Sequence, residues 1–105
     1  MNALFAPDLF RGKTFLISGA GGGVGSATAR LLAGLGARLA LTDSDAARMQ
    51  ATALPLDALA LVGDIRSAAA CEEIVARSVA AYGRLDGLVN AAGIWVEGDL
   101  SLIHI

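Results

Sequence analysis

The stretch SGAGGGVG, Ser18 to Gly25, places five glycines in eight positions. Glycine costs conformational entropy wherever a chain is ordered, so a cluster inside a folded domain needs a use. Backbone without Cβ atoms can approach a large anion closely, and its N–H groups can donate to phosphate oxygens. Two carboxylates follow, Asp43 and Asp64, each near the end of a short apolar run, and Asn90 closes another such run. A carboxylate near a phosphate cradle suits the paired hydroxyls of a ribose and repels an added phosphate at close range.

These residues need elements to hold them. KTFLIS (13–18) is a nearly continuous apolar run, the pattern of a parallel strand covered on both faces. After the glycines, Val24, Ala27, Thr28, Leu31, Leu32 and Leu35 recur at helical spacing, and Gly36 is placed to stop the helix. ARLALT (37–42) predicts a second strand ending in Asp43, and Ser44 or Asp45 can cap a short helix through Met49 and Gln50. LALV (59–62) predicts a third strand, ending at Gly63 and Asp64. Ser67 opens a helix whose Cys71, Ile74, Val75, Ser78, Val79 and Tyr82 share one face, and Gly83 closes it. DGLVNAAG (86–93) reads as a fourth strand entering a small-residue turn. Strict β-α alternation predicts an α/β fold with a parallel sheet and right-handed crossovers. The glycines then fall between the first strand and first helix, at the crevice where such sheets bind ligands, with the helix N-terminus favouring phosphate.

The spacing narrows the chemistry. G-x-G-x-x-G fails, because counting from Gly19 puts Val24 in the last place. G-x-x-x-x-G-K-[ST] fails too: Gly12-Lys13-Thr14 would need glycine at Pro7, and it precedes a strand. G-x-x-x-G-x-G fits, on Gly19, Gly23 and Gly25. With Ser18 for Thr, this segment resembles the T-G-x-x-x-G-x-G fingerprint of the short-chain dehydrogenases/reductases. Asp64 in GDI matches that family's acidic residue after the third strand. GRLDGLVNAAG (83–93) is close to its G-x-[LI]-D-x-L-V-N-N-A-G, with Ala91 in place of one Asn.

The resemblance implies a Rossmann-type doubly wound parallel sheet, here truncated after the fourth strand, in the order 3-2-1-4. Residues 1–99 would be the N-terminal part of a dinucleotide-binding domain. It implies that Ser18, Gly19, Gly21, Gly22, Gly23, Val24 and Gly25 surround the pyrophosphate and Asp43 takes the adenosine ribose. Asp64 and Ile65 would meet the adenine, and Asn90, Ala91 and Gly93 the nicotinamide side. Asp43 lies 18 residues beyond Gly25, and the positions where NADP-preferring relatives carry a cation are Ser44 and Gly22. NAD is therefore expected over NADP, with Arg48 read as one helical turn too far to alter this.

The implied reaction interconverts an alcohol and a carbonyl by hydride transfer. The family's base is Tyr in Y-x-x-x-K, aided by Ser; here the residue four beyond Tyr82 is Asp86, and Lys13 starts the first strand. No catalytic residue is assigned, and this chain alone is expected to show no turnover. A non-catalytic dinucleotide-binding or interaction module is the competing function. The plainer alternatives are a solvent loop for the glycines, a helix cap for Asp43, a solvated strand end for Asp64 and a purely structural Asn90. Trp95 could wall a substrate pocket or simply cover apolar surface, and His104 receives no role.

The 105 residues carry a net charge of -2, 55% apolar and 17% charged residues, which excludes a disordered chain and gives no basic patch for nucleic acid. Cys71, the single cysteine, sits on an apolar helix face and suits the core of a protein in a reducing, cytoplasmic setting. No run approaches the ~18 apolar residues of a membrane span, and no metal-ligating cluster stands out. A small-molecule substrate and a homo-oligomer are the expected partners of a complete enzyme, with the fourth strand an open edge in this chain. Residues 100–105, LSLIHI, match one reading frame of the transposase adaptor CTGTCTCTTATACACATC, so a non-native tail is expected there, with a natural truncation as the rival reading.

Overall fold

Ile17, Leu39 and Leu41 point to one side of the central sheet, and Leu16, Ala40 and Leu61 to the other. That double burial explains why the strands read as unbroken apolar runs. The computed structural model describes residues 8–91. Their order is β1 (Thr14–Ser18), α1 (Gly23–Gly34), β2 (Arg38–Asp43), α2 (Ala46–Leu56), β3 (Leu59–Val62), α3 (Ala68–Tyr82) and β4 (Gly87–Asn90). The four strands are parallel in the order β3-β2-β1-β4. This is the expected α/β arrangement of Rossmann type.

Ala29 and Leu32 of α1 and Met49 and Ala53 of α2 pack on the first face of the sheet, while Ile74 of α3 covers the second. The face of α1 that turns inward differs from the apolar recurrence. Gly25, Ala29 and Leu32 are buried, whereas Val24 is 71% and Leu31 51% exposed. The cause is the helix start: Gly25 lies against the Gly19 backbone, which fixes the helix rotation before larger residues can decide it.

α2 is longer than its sequence pattern suggests. Asp45 rather than Ser44 caps it, accepting from the Arg48 N–H at 3.1 Å. It runs past Gln50 to Leu56, because Pro55 falls in the last turn and removes one hydrogen bond near an end that Asp57 closes in the left-handed region. In α3, Cys71, Ile74 and Ser78 are buried as expected, but Val79 is 40% exposed. Burial also pushes the Cys71 thiol pKa up.

Two side-chain pins set β4 beside β1. At the strand starts, Thr14 N–H donates to Asp86 Oδ2 at 2.8 Å and Asp86 N–H returns a bond to Thr14 O at 2.8 Å. Arg84 neutralises the same carboxylate at 2.7 Å. At the other end, the buried Ser18 hydroxyl donates to Asn90 Oδ1 at 2.7 Å, and Ala91 N–H bonds Ser18 O at 3.1 Å. The strand ends that carry the candidate site are thereby fixed relative to one another.

Candidate functional site

The glycine loop leaves β1 through Gly19, whose φ of +68° is accessible to glycine at little cost. Gly22 N–H bonds back to Gly19 O at 3.0 Å, closing the turn, and Gly22 caps α1 in extended geometry without a side-chain cap. The first intrahelical bond is Ser26 N–H to Gly22 O at 2.9 Å. The amides of Gly23, Val24 and Gly25 therefore form the open positive end of α1. Two glycines here differ in kind. A Cβ on Gly25 would overlap the Gly19 carbonyl, whereas a Cβ on Gly23 would meet nothing within 4 Å. Internal packing demands the first glycine. The second keeps space clear over the helix end.

Asp43 holds the loop from the side. Its Oδ2 accepts from Gly21 N–H and its Oδ1 from Asp45 N–H, both at 2.9 Å. It is thus no cap for α2, and each oxygen retains acceptor capacity for a further donor. α2 braces the loop from behind. Thr52 Oγ1 donates to Ala20 O at 3.1 Å, and Arg48 Nε to Gly21 O at 3.3 Å. The Arg48 side chain therefore reaches the glycine loop. Four residues apart, Arg48 and Thr52 share one side of α2; a helix read only to Gln50 hides that relation.

A cleft of about 140 Å³ opens at the strand ends, lined by Ser18, Gly19, Thr42, Asp43, Ser44, Gly63, Asp64, Ile65 and Arg66. It brings the residues expected at the ribose and adenine into one wall. Thr42 contributes a buried hydroxyl with no hydrogen-bond partner among the described residues. Asp64 is paired with Arg66, a residue that the sequence pattern did not single out. Hydrogen bonds from Arg66 hold the Asp64 pKa down to about 2.

Asn90 and Ala91, expected on the nicotinamide side, lie next to Ser18 at the same strand ends, while Gly93 lies outside the described residues, as do Trp95, His104 and the 100–105 tail. Tyr82, packed on the face of the sheet that α3 covers, donates its OH to Leu39 O at 3.0 Å. Lys13 precedes β1 at the end opposite the glycine loop, about 15 Å of strand away. Among the described residues there is no Tyr–Lys pair at the cleft, no metal-ligating cluster, and no helix long and apolar enough to cross a membrane.

A family profile described as short chain dehydrogenase matches residues 13–104. The cis-1,2-dihydrobenzene-1,2-diol dehydrogenase of Pseudomonas putida is 43% identical over 86 residues, which cover 80% of this chain and 31% of that protein. A short chain dehydrogenase from Mycobacterium smegmatis superposes with a TM-score of 0.79 at 32% identity, over 92% of this chain and 43% of the other. The 3-ketoacyl-(acyl-carrier-protein) reductase from Brucella melitensis, solved with NADH, gives a TM-score of 0.72 at 33% identity, over 75% and 33% of the two chains. The chain spans about a third of the length of the curated relatives it matches.

Proposed function

This chain belongs to the short-chain dehydrogenase family, and from that premise we propose that it is the NAD-binding part of an enzyme interconverting an alcohol and a carbonyl. The carrying observation is the clear space over Gly23, at the positive end of α1 and beside a loop tied to Asp43. The residues present fit a dinucleotide. The open amides of Gly23, Val24 and Gly25 receive the pyrophosphate, Gly19, Gly21 and Gly22 shape the loop beside it, and Ser18 anchors the strand end that feeds them. Asp43, already held by two amides, turns its remaining acceptor sites to the ribose hydroxyls. Asp64 and Ile65 border the adenine, and Asn90, Ala91 and Gly93 the nicotinamide side.

The bound dinucleotide supplies the hydride-accepting or hydride-donating ring; these residues bind and orient it. Proton transfer to the substrate oxygen needs a group that none of them supplies, so the 105 residues alone give no turnover. NAD is preferred, because a 2′-phosphate would face Asp43 in a partly desolvated cleft. Arg48, bonded through Nε to Gly21 O and reaching Gly22, is the cation that works against this preference. A small alcohol or carbonyl substrate, homo-oligomeric assembly and a cytoplasmic setting complete the proposal for the full-length enzyme. Calorimetric titration of that enzyme with NAD and NADP tests it: NAD is expected to bind more tightly. Tighter NADP binding removes the role given to Asp43, and no heat with either coenzyme removes the proposal.

A further inference from the structure

We infer that Thr52 and Arg48 of α2 are positioning residues for the phosphate cradle: they occupy the carbonyls of the glycine loop from behind, so that the amides at the start of α1 stay open. The inference rests on the nucleotide-binding reading and names the side chains that preorganise its anion site.

Three successive peptide groups leave β1 with both ends bonded. In the Gly19–Ala20 group, Ala20 N–H donates to Thr42 O at 3.2 Å and Gly19 O accepts from Gly22 N–H at 3.0 Å. In the Ala20–Gly21 group, Gly21 N–H donates to Asp43 Oδ2 at 2.9 Å and Ala20 O accepts from Thr52 Oγ1 at 3.1 Å. In the Gly21–Gly22 group, Gly22 N–H closes the turn and Gly21 O accepts from Arg48 Nε at 3.3 Å. Two of the three carbonyls thus depend on side chains of one helix. The loop rests directly on that helix: a Cβ on Gly21 would lie 2.6 Å from Arg48 Cβ and 3.1 Å from Arg48 C.

Gly21, Gly22 and Gly23 have no Cβ to restrict them, so this backbone can rearrange at little steric cost. Ala20 is fully buried, and without the Thr52 hydroxyl its carbonyl loses its donor. A buried acceptor left unpaired favours rearrangement toward any free N–H, and the free ones here are those of Gly23, Val24 and Gly25. The open cradle then becomes a smaller fraction of the population, and the apparent Kd for an anion rises by that fraction. Thr52 is 8% exposed, whereas Arg48 is exposed and its bond is longer, so the larger share falls to Thr52.

The test measures dissociation constants of the full-length enzyme for NAD and, as a ligand without phosphate, for adenosine. Thr52→Val keeps the shape and removes the hydroxyl; it is expected to weaken NAD about five-fold and adenosine less than about two-fold. Thr52→Ser keeps a hydroxyl and is expected to bind NAD as the wild type does. At Arg48 the donor and the charge can be separated. Glutamine sets its amide nitrogen at the end of a stem as long as the one that carries Nε, while methionine keeps the stem and has no donor. Arg48→Met is expected to weaken NAD about three-fold, and Arg48→Gln to restore it. If Thr52→Val does not fold, the exposed Arg48 pair decides alone. Unchanged NAD affinity in Thr52→Val or in Arg48→Met overturns the inference for that residue. Equal weakening of NAD and adenosine overturns it altogether, as does a Thr52→Ser variant no better than Thr52→Val. Equal losses in Arg48→Gln and Arg48→Met make charge the agent and remove Arg48 from the inference. If the wild type binds no NAD, the nucleotide-binding reading itself falls and takes the inference with it.

Discussion

Gly23 and Gly25 are two residues apart in one fingerprint, yet alanine at each should act in opposite directions. A methyl on Gly25 runs into the Gly19 carbonyl and comes within 2.8 Å of Gly19 C and 3.0 Å of Ala20 Cα. All three are backbone atoms that Gly22 and Thr52 hydrogen-bond in place, so the turn or the helix must move. Overpacking of this kind costs about 1–3 kcal/mol. Gly23 has no atom within 4 Å of its would-be Cβ, and its φ is not in the positive region. There, alanine limits the unfolded chain and suits the first helical turn, a gain of about 0.5 kcal/mol. The same methyl would occupy the space proposed for the pyrophosphate, with a loss of about 1.4 kcal/mol in binding, or ten-fold in Kd. Urea unfolding and NAD calorimetry on the full-length Gly23→Ala variant should therefore separate stability from affinity. Unchanged NAD affinity in Gly23→Ala would refute the assignment of that space. Wild-type stability in Gly25→Ala would refute the close approach of α1 to Gly19.

Asp43→Asn keeps the shape of the side chain, but its amide nitrogen cannot accept, so one of the two bonds from Gly21 and Asp45 is lost and the other loses its charge assistance, at a cost of about 1–3 kcal/mol in urea unfolding. The same variant should narrow the gap between NAD and NADP affinities, and an unchanged ratio in paired titrations contradicts the ribose role. Asp86 has its pKa lowered from 3.8, first by Arg84 and then by the Thr14 N–H. A depressed folded-state pKa contributes stability that is present above 3.8 and lost as pH falls through the lower folded value. Asp86→Asn should accordingly flatten the acid limb of stability below that pH in a series of urea melts, and parallel curves for variant and wild type would count against the β1–β4 pin.

What the sequence makes legible here follows from whether a role is local. The strands could be read because both faces of β1 and β2 are covered, leaving no polar alternation to confuse them. The glycine loop could be read because Gly19 and Gly25 answer constraints set within seven residues: a positive φ and a close backbone approach. The rotation of α1 could not, since hydrophobicity alone favours burying Val24 and Leu31, and the small residues Gly25 and Ala29 win through the contact at the helix start. Arg48, Thr52 and Arg66 are ordinary residue types without a diagnostic spacing. Their parts become visible only when α2 is set behind the loop and the end of β3 is set beside that of β2. Backbone chemistry at this site thus leaves a sequence signature, because only glycine tolerates it. The side chains that brace or cover the site carry no such signature, and their parts follow from the fold.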